Sequence, residues 1–203
     1  KLLDKANSKE LNLKLRIPGQ HNALNAVAAF IVSRLAGISV KIATKSLENF
    51  SGVSRRLEQK GELKIAGNNI SLLDDYGHHP TEIKETISAV RQSYKGKKIN
   101  MIFQPHRFSR SELLFNDFVE VLSKIDRLIV MDIYSAGEEN PKGISSYDFV
   151  NILLQKGVEV YHAKNLSEIT RILESHIRNN QLLITQGAGN IADISNSLAA
   201  MYK

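Results

Sequence analysis

From Leu72 to its carboxyl end the chain repeats one pattern five times: a short apolar run, then an amphipathic stretch of helix length. The units are SLLDD with a helix over Pro80 to Tyr94, INMIFQ with Ser109 to Ile125, and RLIVMDI with Ser146 to Gln155; VEVYHA then leads to 166–178, and LLITQ to 191–202. Strands such as INMIF and RLIVM are apolar on both faces. A strand tolerates that only where helices cover both sides of a parallel sheet. The pattern therefore predicts an α/β fold with an open, doubly wound, mostly parallel (Rossmann-like) sheet and helices on both faces. In such sheets ligands lie beyond the carboxyl ends of the strands, so the residues just after each strand are where chemistry is to be sought.

Upstream the pattern differs. Residues 11–16 (LNLKLR) alternate like a strand, Pro18-Gly19 breaks the chain, and His21 to Leu35 reads as a helix that Gly37 ends. A second helix fits Val40 to Phe50 with Ser39 as its N-cap, and Ser51 to Ser54 reads as a linker. A boundary placed there gives an incomplete α/β segment over residues 1–54 and a domain over 55–203. ELKIA and NISLLDDY flank Gly67-Asn68, a hairpin signal. The larger domain is expected to fold by itself from about Arg56. Residues 1–50 hold an apolar helix, Ala26 to Ala36, without a sheet to receive it.

The 203 residues contain no cysteine, which excludes a disulfide framework and a thiolate nucleophile. Six scattered histidines have no finger-like zinc spacing, and no metal site is expected in this stretch. The longest apolar run, Ala26 to Val32, is far short of the roughly 20 residues of a membrane span, and no signal-peptide pattern precedes it. A formal charge of +6 suits solubility or anionic small molecules. With only 6% aromatic residues it does not suit nucleic acid, which calls for stacking aromatics along a basic stripe.

Four segments concentrate chemistry. After the first parallel strand, Asp74-Asp75-Tyr76-Gly77-His78-His79-Pro80-Thr81-Glu82 brings two carboxylates and two imidazoles to one strand-to-helix turn. Either His79 caps the helix and Asp74 is a loop hydrogen-bonder, or the group serves a ligand. After the next strand, Gln104-Pro105-His106-Arg107-Phe108-Ser109-Arg110 puts Arg107 and Arg110 at a helix entrance, as a clamp for a carboxylate or phosphate or as solvated charges. Arg55-Arg56 gives the linker a cationic pair that can reach a ligand held between two domains. On the amino-terminal helix Asn22 and Asn25 share a face, fit for the edge of a base or for capping and solvation. Near the end, Gly187-Ala188-Gly189-Asn190-Ile191-Ala192 matches G-x-G-x-x-A but lacks the following strand of a dinucleotide unit; it reads as a tight turn with a phosphate-sized nest. His162 and His176 read as surface or packing residues.

Taken together and in order, IPGQHNALNAVAA, SGVSRRLE, DDYGHHPTEI and FQPHRFSR, followed by YSAGE and QGAGNI, resemble the Mur ligases of peptidoglycan synthesis. The similarity covers nearly the whole chain, and DDYGHHPTE and QPHR are its most specific parts. It implies that residues 1–54 are the carboxy-terminal part of a central ATP-binding domain with its linker, and that 55–203 are the amino-acid-binding domain.

The resemblance further implies a cytoplasmic enzyme of cell wall biogenesis that joins L-alanine to UDP-N-acetylmuramate, using ATP and Mg2+ through an acyl phosphate. On that basis Asn22 and Asn25 would face adenine, Asp75 the ribose and Arg56 the phosphates. His78, Arg107 and Arg110 would surround the amino acid and the reacting carboxyl, with His106 and Tyr76 lining the same pocket. No G-x-x-x-x-G-K-[ST] loop occurs in the sequence. The metal ligands and the UDP-binding domain are therefore expected in a missing part, and the chain alone is expected to be inactive. The alternatives are a relative that attaches a whole peptide to the same sugar acid, favoured less by Tyr76-Gly77, and a non-catalytic binding module.

Overall fold

The structure, a computed structural model, describes residues 2–4, 9–17 and 19–203. Pro18, half of the expected break, lies outside them. The amino-terminal part comprises strands β1 (Leu2–Asp4) and β2 (Lys9–Leu11), an antiparallel pair, and helices α1 (Gln20–Leu35) and α2 (Val40–Asn49). Of the run LNLKLR only Leu11 joins a ladder, and residues 12–15 have no regular structure. Leu11, Leu13 and Leu15 are nonetheless half-buried between exposed neighbours, and Ile17 is half-buried too. Period-two burial reports which face is covered; a strand also needs a partner, and β1 offers only three residues. Ser39 caps α2 as expected, its Oγ accepting the Ile42 N–H at 3.3 Å.

The remainder is built on β3 (Glu58–Ile65), β4 (Asn68–Asp75), α3 (Pro80–Ser93), β5 (Ile99–Phe103), α4 (Phe108–Leu113), α5 (Phe115–Leu122), β6 (Arg127–Met131), α6 (Ser146–Gln155), β7 (Glu159–Ala163), α7 (Leu166–His176), β8 (Gln181–Gln186) and α8 (Ile191–Tyr202). The six strands lie in the order β3-β4-β8-β5-β6-β7, and only the β3–β4 pairing is antiparallel. The hairpin turn is Ala66-Gly67, one residue earlier than expected. Both have positive φ, 47° and 79°, which a two-residue turn of this kind demands, and Asn68 already pairs with Ile65.

Side chains alternate between two cores, which is why the strands are apolar on both faces. Met101, Phe103, Leu128, Val130 and Ile184 enter the core under α3, α5 and α6, whereas Ile102, Ile129 and Leu183 enter the one under α7 and α8. The helix expected over Ser109 to Ile125 is interrupted at Leu114, whose backbone sits at φ −109° and ψ 21°. That break lets Phe118 turn into the core against Phe103 and Phe149, with ring centroids 5.6 and 6.0 Å apart. It leaves α4 at the end of the sheet. His162 is a packing residue, bonded to Asp132 at 2.7 Å and set against the Tyr147 ring. His176 lies beside Tyr161.

Candidate ligand cleft and the ring-lined turn beside it

Because β8 lies between β4 and β5, the carboxyl ends of these three strands are neighbours, and they bring Asp74, Asp75, Gln186 and Gln104 together. Asp75 is almost fully buried. Its Oδ1 accepts the Gly77 N–H at 2.9 Å, the Thr86 hydroxyl at 3.1 Å and the Gln186 amide at 2.8 Å, and its Oδ2 accepts the Leu57 N–H at 2.9 Å. Asp74 takes Arg55 Nε at 3.1 Å and the Thr185 hydroxyl at 2.7 Å. The two carboxylates thus fasten the linker and the DDYGHH turn to the sheet. Positive φ at Arg55 (58°) and Leu57 (49°) makes the linker kink, so that Arg55 is drawn into the rim while Arg56 stays half-exposed.

A cleft of about 780 Å³ runs between the amino-terminal helices and this rim. Asn22, Asn25, Arg56 and Asp75 all line it, with apolar walls from Ala26, Leu47, Phe50 and Val53. Its far wall is the start of α3. There His79 is the N-cap, its Nδ1 accepting the Thr81 N–H at 3.2 Å, and Glu82 reaches back to the His78 and His79 N–H groups at 2.9 and 3.1 Å. Burial pushes the Glu82 carboxyl up, but these two N–H groups, with His78 and Arg56, outweigh it and hold its pKa below the ordinary value. The capping reading of His79 and the hydrogen-bonding reading of Asp74 are what the structure shows.

A chain of rings leads away from the cleft. Arg55 and Arg56 both lie over the Tyr76 ring, at 5.1 and 5.6 Å; Tyr76 meets His78 edge-on at 5.3 Å, His78 lies 5.6 Å from His106, and His106 stacks on Tyr134 at 5.4 Å. Arg110 folds back, its Nη1 at 3.1 Å from the His106 carbonyl and 3.3 Å from Nδ1. Arg107 takes another course. Its backbone has φ 74°, and its Nη1 pairs with Glu138 at 3.2 Å. The two guanidiniums therefore have separate protein partners and do not form a clamp between themselves. Burial, then the charges of His78, Arg110 and Arg107, push the His106 pKa down, against a smaller opposing effect of Glu138. At neutral pH that imidazole is uncharged; since a guanidinium only donates, its Nδ1 accepts from Arg110 and its proton sits on Nε2.

The GAG turn is filled by protein. A Cβ at Gly187 would meet the Gln104 carbonyl at 2.7 Å, and one at Gly189 would meet Gln104 Oε1 at 2.5 Å and the Tyr134 ring at 2.7 Å. Gln104 also accepts the Ile191 N–H at 3.1 Å and donates to Asn190 at 2.6 Å. These glycines allow close packing of Gln104 and Tyr134. The sequence-based residues thus fall into two groups: Asn22, Asn25, Arg56 and Asp75 around the cleft, and Tyr76, His78, His106 and Arg110 in the ring chain, with Arg107 at its edge. Gln104 and Gln186 were given no role of their own, Tyr134 and Glu138 entered only within YSAGE, and Arg55 only as half of the Arg55-Arg56 pair. Tyr134 carried one signal, since it lies just beyond β6, where the carboxyl-end rule points. Among the described residues, no group of three or more His, Cys, Asp or Glu side chains is placed to hold a metal ion.

Comparison with known proteins bears on this arrangement. Residues 55–189 match the model of the Mur ligase, glutamate ligase domain. The UDP-N-acetylmuramate-L-alanine ligase of Psychrobacter arcticus is 41% identical over 190 residues, which is 94% of this chain and 40% of that protein. That of Agathobacter rectalis is 41% identical over 187 residues, again 40% of its length. Among solved structures, UDP-N-acetylmuramate-alanine ligase from Thermotoga maritima superposes with a TM-score of 0.77 at 28% identity, covering 95% of this chain and 40% of that one. A murein peptide ligase from Psychrobacter arcticus, at TM-score 0.63 and 19% identity over 93% of this chain and 38% of its own, shares the fold. The chain thus spans about 40% of the length of the curated relatives it matches. With a family match over most of the sheet domain, and an α/β fold shared with these ligases, the chain belongs to the Mur ligase family.

Proposed function

We propose that this chain supplies the amino-acid-binding domain, residues 55–203, and the end of the ATP-binding domain, residues 1–54, of a cytoplasmic peptidoglycan-precursor ligase that joins L-alanine to UDP-N-acetylmuramate. The observation that carries the reading is that all four residues assigned to the nucleotide line one cleft between these two parts. The cleft suits an adenosine moiety: its volume lies in the range of small-molecule sites, its walls are largely apolar, and two carboxamides supply donors and acceptors. Among the described residues Asp75 Oδ2 accepts only the Leu57 N–H, which keeps an acceptor direction for a ribose hydroxyl. Arg56, over the Tyr76 ring, links the cleft to the ring chain and is the cation for the phosphates.

ATP supplies the phosphoryl group that activates the sugar-acid carboxylate. The residues here bind and orient. Arg107 and Arg110 hold carboxylate charge, His78 and Tyr76 close the side toward Arg56, and uncharged His106 lines the same pocket. We place the Mg2+ ligands in the rest of the enzyme; among the described residues no group of three or more His, Cys, Asp or Glu side chains is placed to hold a metal ion. Without a phosphate-cradling G-x-x-x-x-G-K-[ST] loop, the 203 residues alone are expected to turn over no ATP. The alanine reading is preferred to peptide attachment because, among superposed structures, the UDP-N-acetylmuramate-alanine ligase of Thermotoga maritima is 28% identical, against 19% for the murein peptide ligase.

The test is steady-state phosphate release by the full-length enzyme with UDP-N-acetylmuramate and ATP, comparing L-alanine with a tripeptide as the amine. L-Alanine should be the better substrate. Arg107→Lys, which keeps the charge but loses the planar fork, should lower kcat/KM for L-alanine by about 10- to 100-fold with little change in the melting temperature. Preference for the tripeptide, or wild-type alanine kinetics in Arg107→Lys, would overturn this reading.

A further inference from the structure

The loop between β6 and α6 has no part in the reading above, yet it grips the turn that carries Arg107 at several points. The Tyr134 carbonyl accepts the Arg107 N–H at 2.8 Å, and the Tyr134 N–H donates to the Pro105 carbonyl at 2.8 Å. These bonds hold Arg107 at a positive φ that side-chain-bearing residues seldom adopt. Three residues past Tyr134's neighbour Ser135, Glu138 completes the grip. Its Oε1 accepts Arg107 Nη1 at 3.2 Å and the Ser109 hydroxyl at 2.8 Å, and its Oε2 accepts the Ser109 N–H at 3.0 Å. The Ser109 N–H, then its hydroxyl, hold the Glu138 carboxyl below its ordinary pKa, with Arg107 adding to the effect, so it stays charged at neutral pH.

The two bonds from Ser109 matter because they do not involve Arg107. They fix the carboxylate independently, and the guanidinium then meets an acceptor that is already in place. A half-exposed arginine without such a partner would spread over many rotamers. Among the described residues Glu138 engages only Nη1, and the Nε and Nη2 edge has no protein partner. That edge is the one that meets a carboxylate with two parallel hydrogen bonds.

We infer that Glu138 is a positioning residue: it presets the Arg107 guanidinium so that its free edge faces the carboxylate of the incoming amino acid. The inference rests on the role given to Arg107 above. The same geometry has a rival consequence, in which Glu138 is an internal anion that the incoming carboxylate must displace. The two differ in sign, since losing a positioning group weakens substrate binding and losing a competitor strengthens it.

Glu138→Gln keeps one oxygen to accept the Ser109 N–H but removes the negative charge that faces Arg107. In the full-length enzyme it should raise KM for L-alanine about tenfold while leaving KM for ATP and the melting temperature nearly unchanged. If Glu138 acts through Arg107, adding Glu138→Gln to Arg107→Lys should cause little further loss. An unchanged or lowered KM for L-alanine, or losses that multiply, would overturn the inference. A second readout separates its failure from failure of the alanine reading. In the isotopically labelled 203-residue chain, nitrogen NMR should show restricted rotation of the Arg107 guanidinium, lost in Glu138→Gln. Free rotation in the wild type sinks the inference whatever amine the enzyme uses, and restricted rotation lost in the variant supports it even if L-alanine is not the substrate.

Discussion

The two parts of the chain are both built from amphipathic elements, but only one of them closes a core. In the sheet domain Phe103, Phe118, Phe149, Leu182 and Ile184 are fully buried, and strands and helices share two continuous clusters. In residues 1–54 the only buried hydrophobic side chains among the described residues are Ala26 and Ala43, while Leu24, Ile31, Val32, Leu35 and Ile42 are more than half exposed. Local signals suffice to start and stop α1 and α2, as the Ser39 cap and the positive φ of Gly37 show. They do not create a surface for the apolar faces to meet. Helix formation and core formation are separate steps, and most helical stability in proteins comes from the second.

The sharpest way to break this contrast is to remove a large side chain from each part. Phe103→Ala empties a site between two sheet neighbours and the α5 rings, and should cost about 3–5 kcal/mol in urea unfolding of the 203-residue chain. Leu35→Ala, at a position 83% exposed, should change stability by less than about 0.5 kcal/mol. Comparable losses for the two would mean that α1 is packed as firmly as the sheet.

The same contrast explains what the sequence could disclose. The five repeating units were legible because a strand covered on both faces and a helix covered on one have different periods, and both kinds occur here at full length. The carboxyl-end rule then located Asp75, His78, His106 and the arginines. Periodicity failed where it reports burial without a partner, as in LNLKLR, and could not register the kink at Leu114, which depends on how three phenylalanines fit together. Glu138 sits in a polar loop with no periodicity, and its partner Arg107 is 31 residues away. Likewise the two aspartates are visible as a pair, but that Gln186 binds Asp75 across 111 residues is a property of the strand order alone.

The adjacent arginines of the linker sharpen the comparison at its boundary. Arg55 spans to buried Asp74 and donates to the Gly187 carbonyl at 2.6 Å, so it belongs energetically to the sheet. Arg55→Ala would leave the Asp74 carboxylate in a dry site with only the Thr185 hydroxyl, and should cost about 3 kcal/mol. Arg56 pairs with Glu82 at 3.4 Å on the exposed side, and Arg56→Ala should cost less than about 1 kcal/mol. Pairing Arg55→Ala with Asp74→Asn, which removes the stranded charge, should recover part of the loss. If it recovers none, Asp74 is not the reason Arg55 matters.

The smallest expected effect is the most specific, because its size depends on pH. Glu82 closes the capping box of α3 and accepts two N–H groups next to the cleft, whereas Glu85, one turn on, faces the amino-terminal helix across a 3.9 Å approach to His21. Burial works against the Glu82 charge, but the His78 and His79 N–H groups, with His78 and Arg56, prevail, so its pKa in the folded state lies below the usual 4.5. A carboxyl whose pKa is depressed by folding stabilises the folded state above its unfolded pKa, and that contribution is lost as pH falls through the folded value. Glu82→Gln should therefore cost about 1 kcal/mol at pH 7, the usual worth of a helix cap, and the gap to wild type should close as the pH is lowered below about 4.5. Glu85→Gln should leave stability unchanged at both pH values, since its approach to His21 is long and its side chain is exposed. Chemical unfolding of the three proteins at pH 7 and near pH 3 measures this directly. A Glu82→Gln deficit that persists at low pH would show that the side chain works by packing. A Glu85→Gln deficit as large as that of Glu82→Gln would instead place the amino-terminal helix in firm contact with α3, and the two regions would no longer differ at their shared edge.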